Sequence, residues 1–255
     1  MDAQFKTTFL DLWKRYFAGA EPPIIFYYSD GGSGGRPVAP GSMSRCLVTN
    51  LVRVRKGEAL FFAADSIGCP GGKRYLGFSE TIRPDFEYFL SCGIPGKMEG
   101  ERYKKTPELV REAMARMPVF KAPGRFIVFK RWDLLEDGED PDAVVFFATP
   151  DVLAGLFTLA SFDTAEESGV IAPFGAGCGS IVLYPYLEKD KPNPRAVIGM
   201  FDPSARPYVP PDVITFAVPM AKFVRMVENM EESFLITSTW SKIYKRISNL
   251  KKHKE

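Results

Sequence analysis

Six stretches of this chain read as strands, and several of them are too apolar to have a wet face. They are residues 24–28, 59–64, 126–131, 143–149, 196–200 and 213–218. A strand with one wet face alternates apolar and polar residues, whereas Ala143-Val144-Val145-Phe146-Phe147-Ala148 has no polar position. Such strands must be covered on both faces. Between them lie patterns of helical period. Phe5, Phe9, Leu12, Trp13 and Tyr16 make one apolar stripe; Met43, Leu47, Leu51 and Val54 make another. The expected fold class is therefore α/β or α+β, a mixed sheet with helices packed on it. No linker or internal repeat divides the chain, so residues 1–255 are read as a single domain with a frayed basic tail at 248–255.

Local signals place several boundaries. Gly19 and Pro22-Pro23 stop the first helix, and residues 30–41 read as a Gly-rich loop. Ser42 or Ser44 is expected to cap the second helix, which runs to about Arg55. Thr106-Pro107-Glu108 is a strong helix start. The helix after Pro150 is apolar nearly all round and is expected to be deeply buried.

The composition excludes much chemistry. The only histidine is His253, in the tail, which leaves a Ser or Cys nucleophile without a histidine base and removes His-based metal sites. A net charge of +2 gives no argument for nucleic acid. No run is long enough to span a membrane. The N-terminus lacks a secretory pattern, so the expectation is a cytoplasmic protein with reduced thiols. Gly175-x-Gly177-x-Gly179 lacks the third glycine and later acid of a dinucleotide fingerprint, and no Gly-Lys-Ser/Thr loop is present.

What remains is the setting of the 4 cysteines. Cys69 lies in Ser66-Ile67-Gly68-Cys69-Pro70-Gly71-Gly72, a loop after a buried strand that either carries the thiol to a ligand or is simply a tight turn. Cys178 lies in Gly175-Ala176-Gly177-Cys178-Gly179-Ser180, and Cys92 beside Gly93. Cys46 is placed near a helix start, where the helix dipole favours a thiolate. Gly-rich turns offer backbone N–H groups to metal-bound sulfur at little steric cost. They can also bind an anion where they open a helix.

The ordered set of Cys46, Cys69-Pro70-Gly71-Gly72 with Leu76-Gly77, Ala148-Thr149-Pro150, Gly177-Cys178-Gly179-Ser180, Ile198-Gly199 and Phe216-Ala217-Val218-Pro219 resembles the prokaryotic DUF169 family, over roughly residues 20–225. The family is uncharacterised. The resemblance implies that Cys46, Cys69 and Cys178 belong together, and it does not include Cys92. Two function classes follow. One is a cysteine-ligated centre, an iron–sulfur cluster above all, on Cys46, Cys69 and Cys178 with Cys92 as a fourth candidate, serving electron transfer to a redox partner or holding a small ligand. The other is a metal-free pocket for an anionic small molecule, lined by Gly71, Gly72, Gly177, Gly179, Tyr75 and Phe78, with Arg45 or Arg74 meeting the acid. A third reading is a structural protein with buried thiols.

Overall fold

The computed structural model describes residues 2–31, 34–40 and 46–252. In chain order the elements are α1 (Ala3–Phe17), β1 (Ile24–Ser29), β2 (Arg36–Pro37), α2 (Leu47–Arg55), β3 (Leu60–Phe62), α3 (Pro70–Tyr75), α4 (Phe86–Phe89) and α5 (Pro107–Arg116). They continue with β4 (Phe126–Arg131), β5 (Ala143–Ala148), α6 (Pro150–Ala160), β6 (Val170–Ile171) and a π-helical turn (Gly179–Leu183) leading into α7 (Tyr184–Glu188). The last are β7 (Ala196–Gly199), β8 (Ile214–Pro219), α8 (Met220–Glu228) and α9 (Ser238–Lys252).

The eight strands of the described residues join one sheet in the order β2-β3-β4-β1-β5-β8-β7-β6. The middle pairs are antiparallel, and only the outermost pairs, β2 with β3 and β6 with β7, are parallel. The mixed-sheet expectation therefore holds, and so does the inference from the apolar runs. Along β5, Val144, Phe146 and Ala148 enter one core while Ala143, Val145 and Phe147 enter the other. Period-two alternation is present, but both sides are dry. The first core is closed by α1, α6, α8 and α9, with Phe9 set edge-on against Trp132 and Phe223 at 5.0 and 4.9 Å. The second is closed by α2, α3 and the π turn.

Several sequence expectations need correction. Residues 36–37 of the Gly-rich loop form an edge strand; Pro37 is tolerated because an edge leaves one side of the strand unpaired. The described part of α2 begins after Cys46, which is its N-cap; Ser42, Ser44 and Arg45 lie outside the described residues. The helix after Pro150 is not buried all round: Phe157 is exposed. Hydrophobicity without a polar face does not by itself say how many neighbours a helix has. Residues 248–252 of the tail continue α9; His253 lies outside the described residues.

One buried charge sits in the sheet. Lys130 of β4 is fully buried, and its ammonium meets Glu139 at 2.5 Å. Glu139 also accepts from the Tyr27 hydroxyl and, at 2.8 Å, from the Glu136 amide. Burial pushes the Glu139 carboxyl up, but the Glu136 amide, Lys130 and Tyr27 outweigh it, so it lies below the usual value. Its contribution is complete above the ordinary glutamate value of 4.5 and is lost as pH falls through its lowered folded value. Lys130→Met is expected to cost about 2 kcal/mol, because Glu139 keeps the Tyr27 hydroxyl and the Glu136 amide as donors. Urea unfolding at neutral pH measures this, and adding Glu139→Gln should recover part of the loss. A silent Lys130→Met would mean that the pair contributes nothing.

Between α3 and β4 the chain leaves the sheet as a helical excursion, residues 78–121, carrying α4 and α5. Its two ends are pinned together where the Ala122 amide donates to the Gly77 carbonyl at 2.8 Å. Gly77 has φ +74, and a Cβ there would lie 2.7 Å from the Ala122 nitrogen, so only glycine fits this base. The excursion supplies one wall of the cavity described next.

Candidate functional site

A cavity of about 620 Å³ lies between the excursion and the side of the sheet that carries α2 and α3. Cys46, Cys69 and Cys178 all line it, although four strands lie between the first and the last along the chain. Cys46 is the N-cap of α2 and Cys69 the N-cap of α3, both with extended backbone, whereas Cys178 is already helical, at φ -66 and ψ -27, just before the π turn. None of the four cysteines is in a disulfide.

The local reasons differ from those read in the sequence. Pro70-Gly71-Gly72 is not a turn but the first turn of α3, where proline's fixed φ and missing N–H are suited. The Gly72 amide donates to the Cys69 sulfur at 3.4 Å. Neither Gly71 nor Gly72 has a positive φ. Gly72 is closely approached instead, since a Cβ would come 3.2 Å from the Ile67 methyl, a tighter contact than usual. The same holds around Cys178. A Cβ on Gly177 would press the Met200 sulfur at 3.0 Å, and one on Gly179 would press the Tyr75 ring at 3.2 Å. Tyr75 and Met200 are thereby packed close on either side of Cys178.

The π turn has its own cause. Pro185, in the first turn of α7, has no N–H to give to the Ile181 carbonyl, so an uninterrupted α-helical ladder is not available. Single π turns of this kind recur at functional sites. Ser180, inside the turn, donates to the Gly177 carbonyl at 2.8 Å and accepts from the Met200 amide at 3.3 Å. Met200 itself is buried with φ 68, a left-handed backbone rare for a bulky side chain. Strained backbone of this sort persists where the surroundings over-determine it.

The electrostatics join the three thiols. Burial pushes the Cys178 thiol well up, and Cys69, Cys46 and Asp202 push it further. Burial also raises Cys46; the amides of Val48 and Thr49 pull the other way, while Cys69 and Asp202 add to the rise. Tyr75 is raised by burial, then by Cys178 and Tyr184. Asp202, which the sequence reading passed over, therefore shares the field of the thiols; its carboxylate accepts from the Ser204 amide and hydroxyl at 3.0 and 2.8 Å. Nothing in a lone Asp-Pro-Ser would have singled it out. As they stand, the described residues contain no group of three or more His, Cys, Asp or Glu arranged to hold a single metal ion.

The other expected site residues are spread out. Gly71, Gly72 and Gly177 line the cavity, whereas Gly179 lies under Tyr75. Cys92 is exposed on the excursion, its thiol donating to the Gly93 carbonyl at 3.5 Å, and is not part of the lining. Tyr75 lines the cavity. Phe78 lies in a separate open groove, and the Arg74 side chain turns away to the Glu80 carbonyl. Arg45 lies outside the described residues. No described helix is long and apolar enough to cross a membrane.

Comparison with known proteins gives one match: a model of the family DUF169, described as uncharacterised ArCR, over residues 20–229. No curated protein and no solved structure matches the chain.

Proposed function

The chain belongs to the DUF169 family, and from that premise and the thiol-lined cavity we propose that it carries a cysteine-bound iron–sulfur cluster on Cys46, Cys69 and Cys178. The observation that carries the reading is the meeting of these three residues, each ahead of a helical turn, in one cavity. Three thiolates in each other's field repel one another, so the ionised set needs positive charge among it. A polynuclear centre fits the arrangement better than a single ion. One zinc requires its donors to converge on a point at about 2.3 Å, and no such group is present among the described residues. Thiolates on a cluster bind different irons and stand apart. The amide hydrogen bond from Gly72 to Cys69 is of the kind that tunes cluster potential.

With three protein thiolates, a cubane cluster would keep one iron open toward the cavity, for electron transfer or for holding a small ligand. Cys92 has no part in this scheme. Protein purified under strict anaerobiosis is expected to be brown, with broad visible absorption and about four iron and four sulfide per chain. Colourless protein that takes up neither on anaerobic reconstitution would overturn the reading.

One observation favours a second reading. Burial raises the thiols at Cys46 and Cys178, and neutral thiols are compatible with a metal-free pocket. In that case Cys46, Cys69 and Cys178 are part of the wall of a small-molecule site, and the iron determination separates the two.

A further inference from the structure

The part of the cavity lined by the excursion has a chemistry of its own. The excursion contributes Phe86, Phe89 and Tyr103, and the facing loops contribute Phe174 and Phe201. Phe174 and Phe201 are both more than half exposed, at 60% and 56%, so large aromatic faces stand open at the mouth. Two cations stand on such faces. The Lys104 ammonium lies 4.2 Å from the centre of the Phe174 ring, and the Arg83 guanidinium 4.0 Å from that of Phe89. Both line the cavity. Among the described residues neither has a carboxylate within ion-pair distance. The acids of the cavity are engaged elsewhere: Asp202 with Ser204, and Glu101 with the Tyr103 hydroxyl.

The backbone supports the placement of Lys104. Arg102, two residues before it, has φ 56 and is held by its amide on the Ser91 carbonyl at 3.0 Å, while the Lys104 amide donates to Leu90 at 3.0 Å. The chain thus spends left-handed backbone to present residue 104 at the rim.

We infer that the cavity takes a planar aromatic acid, its rings between the aromatic walls and its anion at Lys104 and Arg83. Stacked rings and cations already held on aromatic faces suit a flat anionic ligand. A volume of about 620 Å³ admits two or three fused rings. The inference goes beyond the cluster reading and does not need iron, since the anion is held by the excursion.

Calorimetric titration of the full chain, as purified anaerobically, with 2-naphthoate, its neutral analogue 2-naphthalenemethanol and the saturated decalin-2-carboxylate tests it. 2-Naphthoate is expected to bind about tenfold more tightly than the alcohol, the scale of one charged hydrogen bond. It should also bind more tightly than the saturated acid. Lys104→Met should erase the advantage over the alcohol, and Arg83→Met, on a different segment of the excursion, should reduce it even if the first variant folds poorly. Retained binding of 2-naphthoate by Cys69→Ser protein is the expected result apart from iron. Equal binding of acid and alcohol, equal binding of the flat and saturated acids, no binding of 2-naphthoate, or loss of binding together with iron would each overturn the inference.

Discussion

Cys69→Ser protein is expected to lose most of its iron and keep its fold. The substitution is unusually clean at this position. Cys69 is the N-cap of α3 and accepts the Gly72 amide at 3.4 Å. Serine is among the preferred N-cap residues, so the helix start should be as stable with the hydroxyl as with the thiol, or slightly more so. The ligand chemistry moves the other way: a hard, poorly ionised hydroxyl replaces a soft thiolate. Thermal midpoint and iron content measured on the one variant then diverge. Cys92→Ser is the internal control, because Cys92 is exposed and outside the cavity; its iron content should match the unsubstituted protein. Unchanged iron in Cys69→Ser would remove the cluster from this site, and a lowered midpoint with unchanged iron would mark Cys69 as a packing residue. Iron lost from Cys92→Ser would show that the wrong cysteines have been grouped.

Gly199→Ala should destabilise the protein by about 3 kcal/mol or more, at or beyond the upper end of ordinary overpacking. A Cβ at Gly199 would stand 1.9 Å from the Ser180 Oγ and 2.0 Å from its Cβ. Neither atom can step aside freely. Ser180 is in the π turn directly after Cys178 and bonds both Gly177 and Met200. Relief requires the turn or β7 to shift, and shifting the turn displaces Cys178. The variant should therefore lose iron as well as stability. Ser180→Gly in the same chain removes both clashing atoms and should restore part of the stability, with a coupling of about 1–3 kcal/mol between the two sites in a double-mutant cycle. Additive effects would mean that the two residues do not press on one another.

The elements were largely legible in the chain because their signals are local. The all-apolar strands announced a sheet covered on both sides, and β5 has Val144, Phe146 and Ala148 in one core with Ala143, Val145 and Phe147 in the other. Thr106-Pro107-Glu108 starts α5 as read, with the Thr106 hydroxyl accepting the Leu109 amide at 3.3 Å. Where reading failed, the missing information was what stood opposite. The sequence shows glycines open to close approach or offering N–H groups, but not what stands against them: Gly72, Gly177 and Gly179 lie close to Ile67, Met200 and Tyr75, while Gly71 makes only ordinary contacts. Which ring or methyl approaches a glycine is not written beside it.

The sequence by itself determined the material of the protein: a buried mixed sheet, helices with defined starts, three of four cysteines directly before glycine or proline, and a single histidine, His253. Composition and periodicity suffice for that, since burial and capping act over a few residues. Only the tertiary structure decided that Cys46, Cys69 and Cys178 line one cavity, that Asp202 shares their field, and that the excursion from Gly77 to Ala122 brings Arg83 and Lys104 to the same space. Those relations depend on the order in which β3, β7 and β8 are laid into the sheet. Sheet order is set by packing between segments distant in the chain, and pairing of that kind leaves no local periodicity to read.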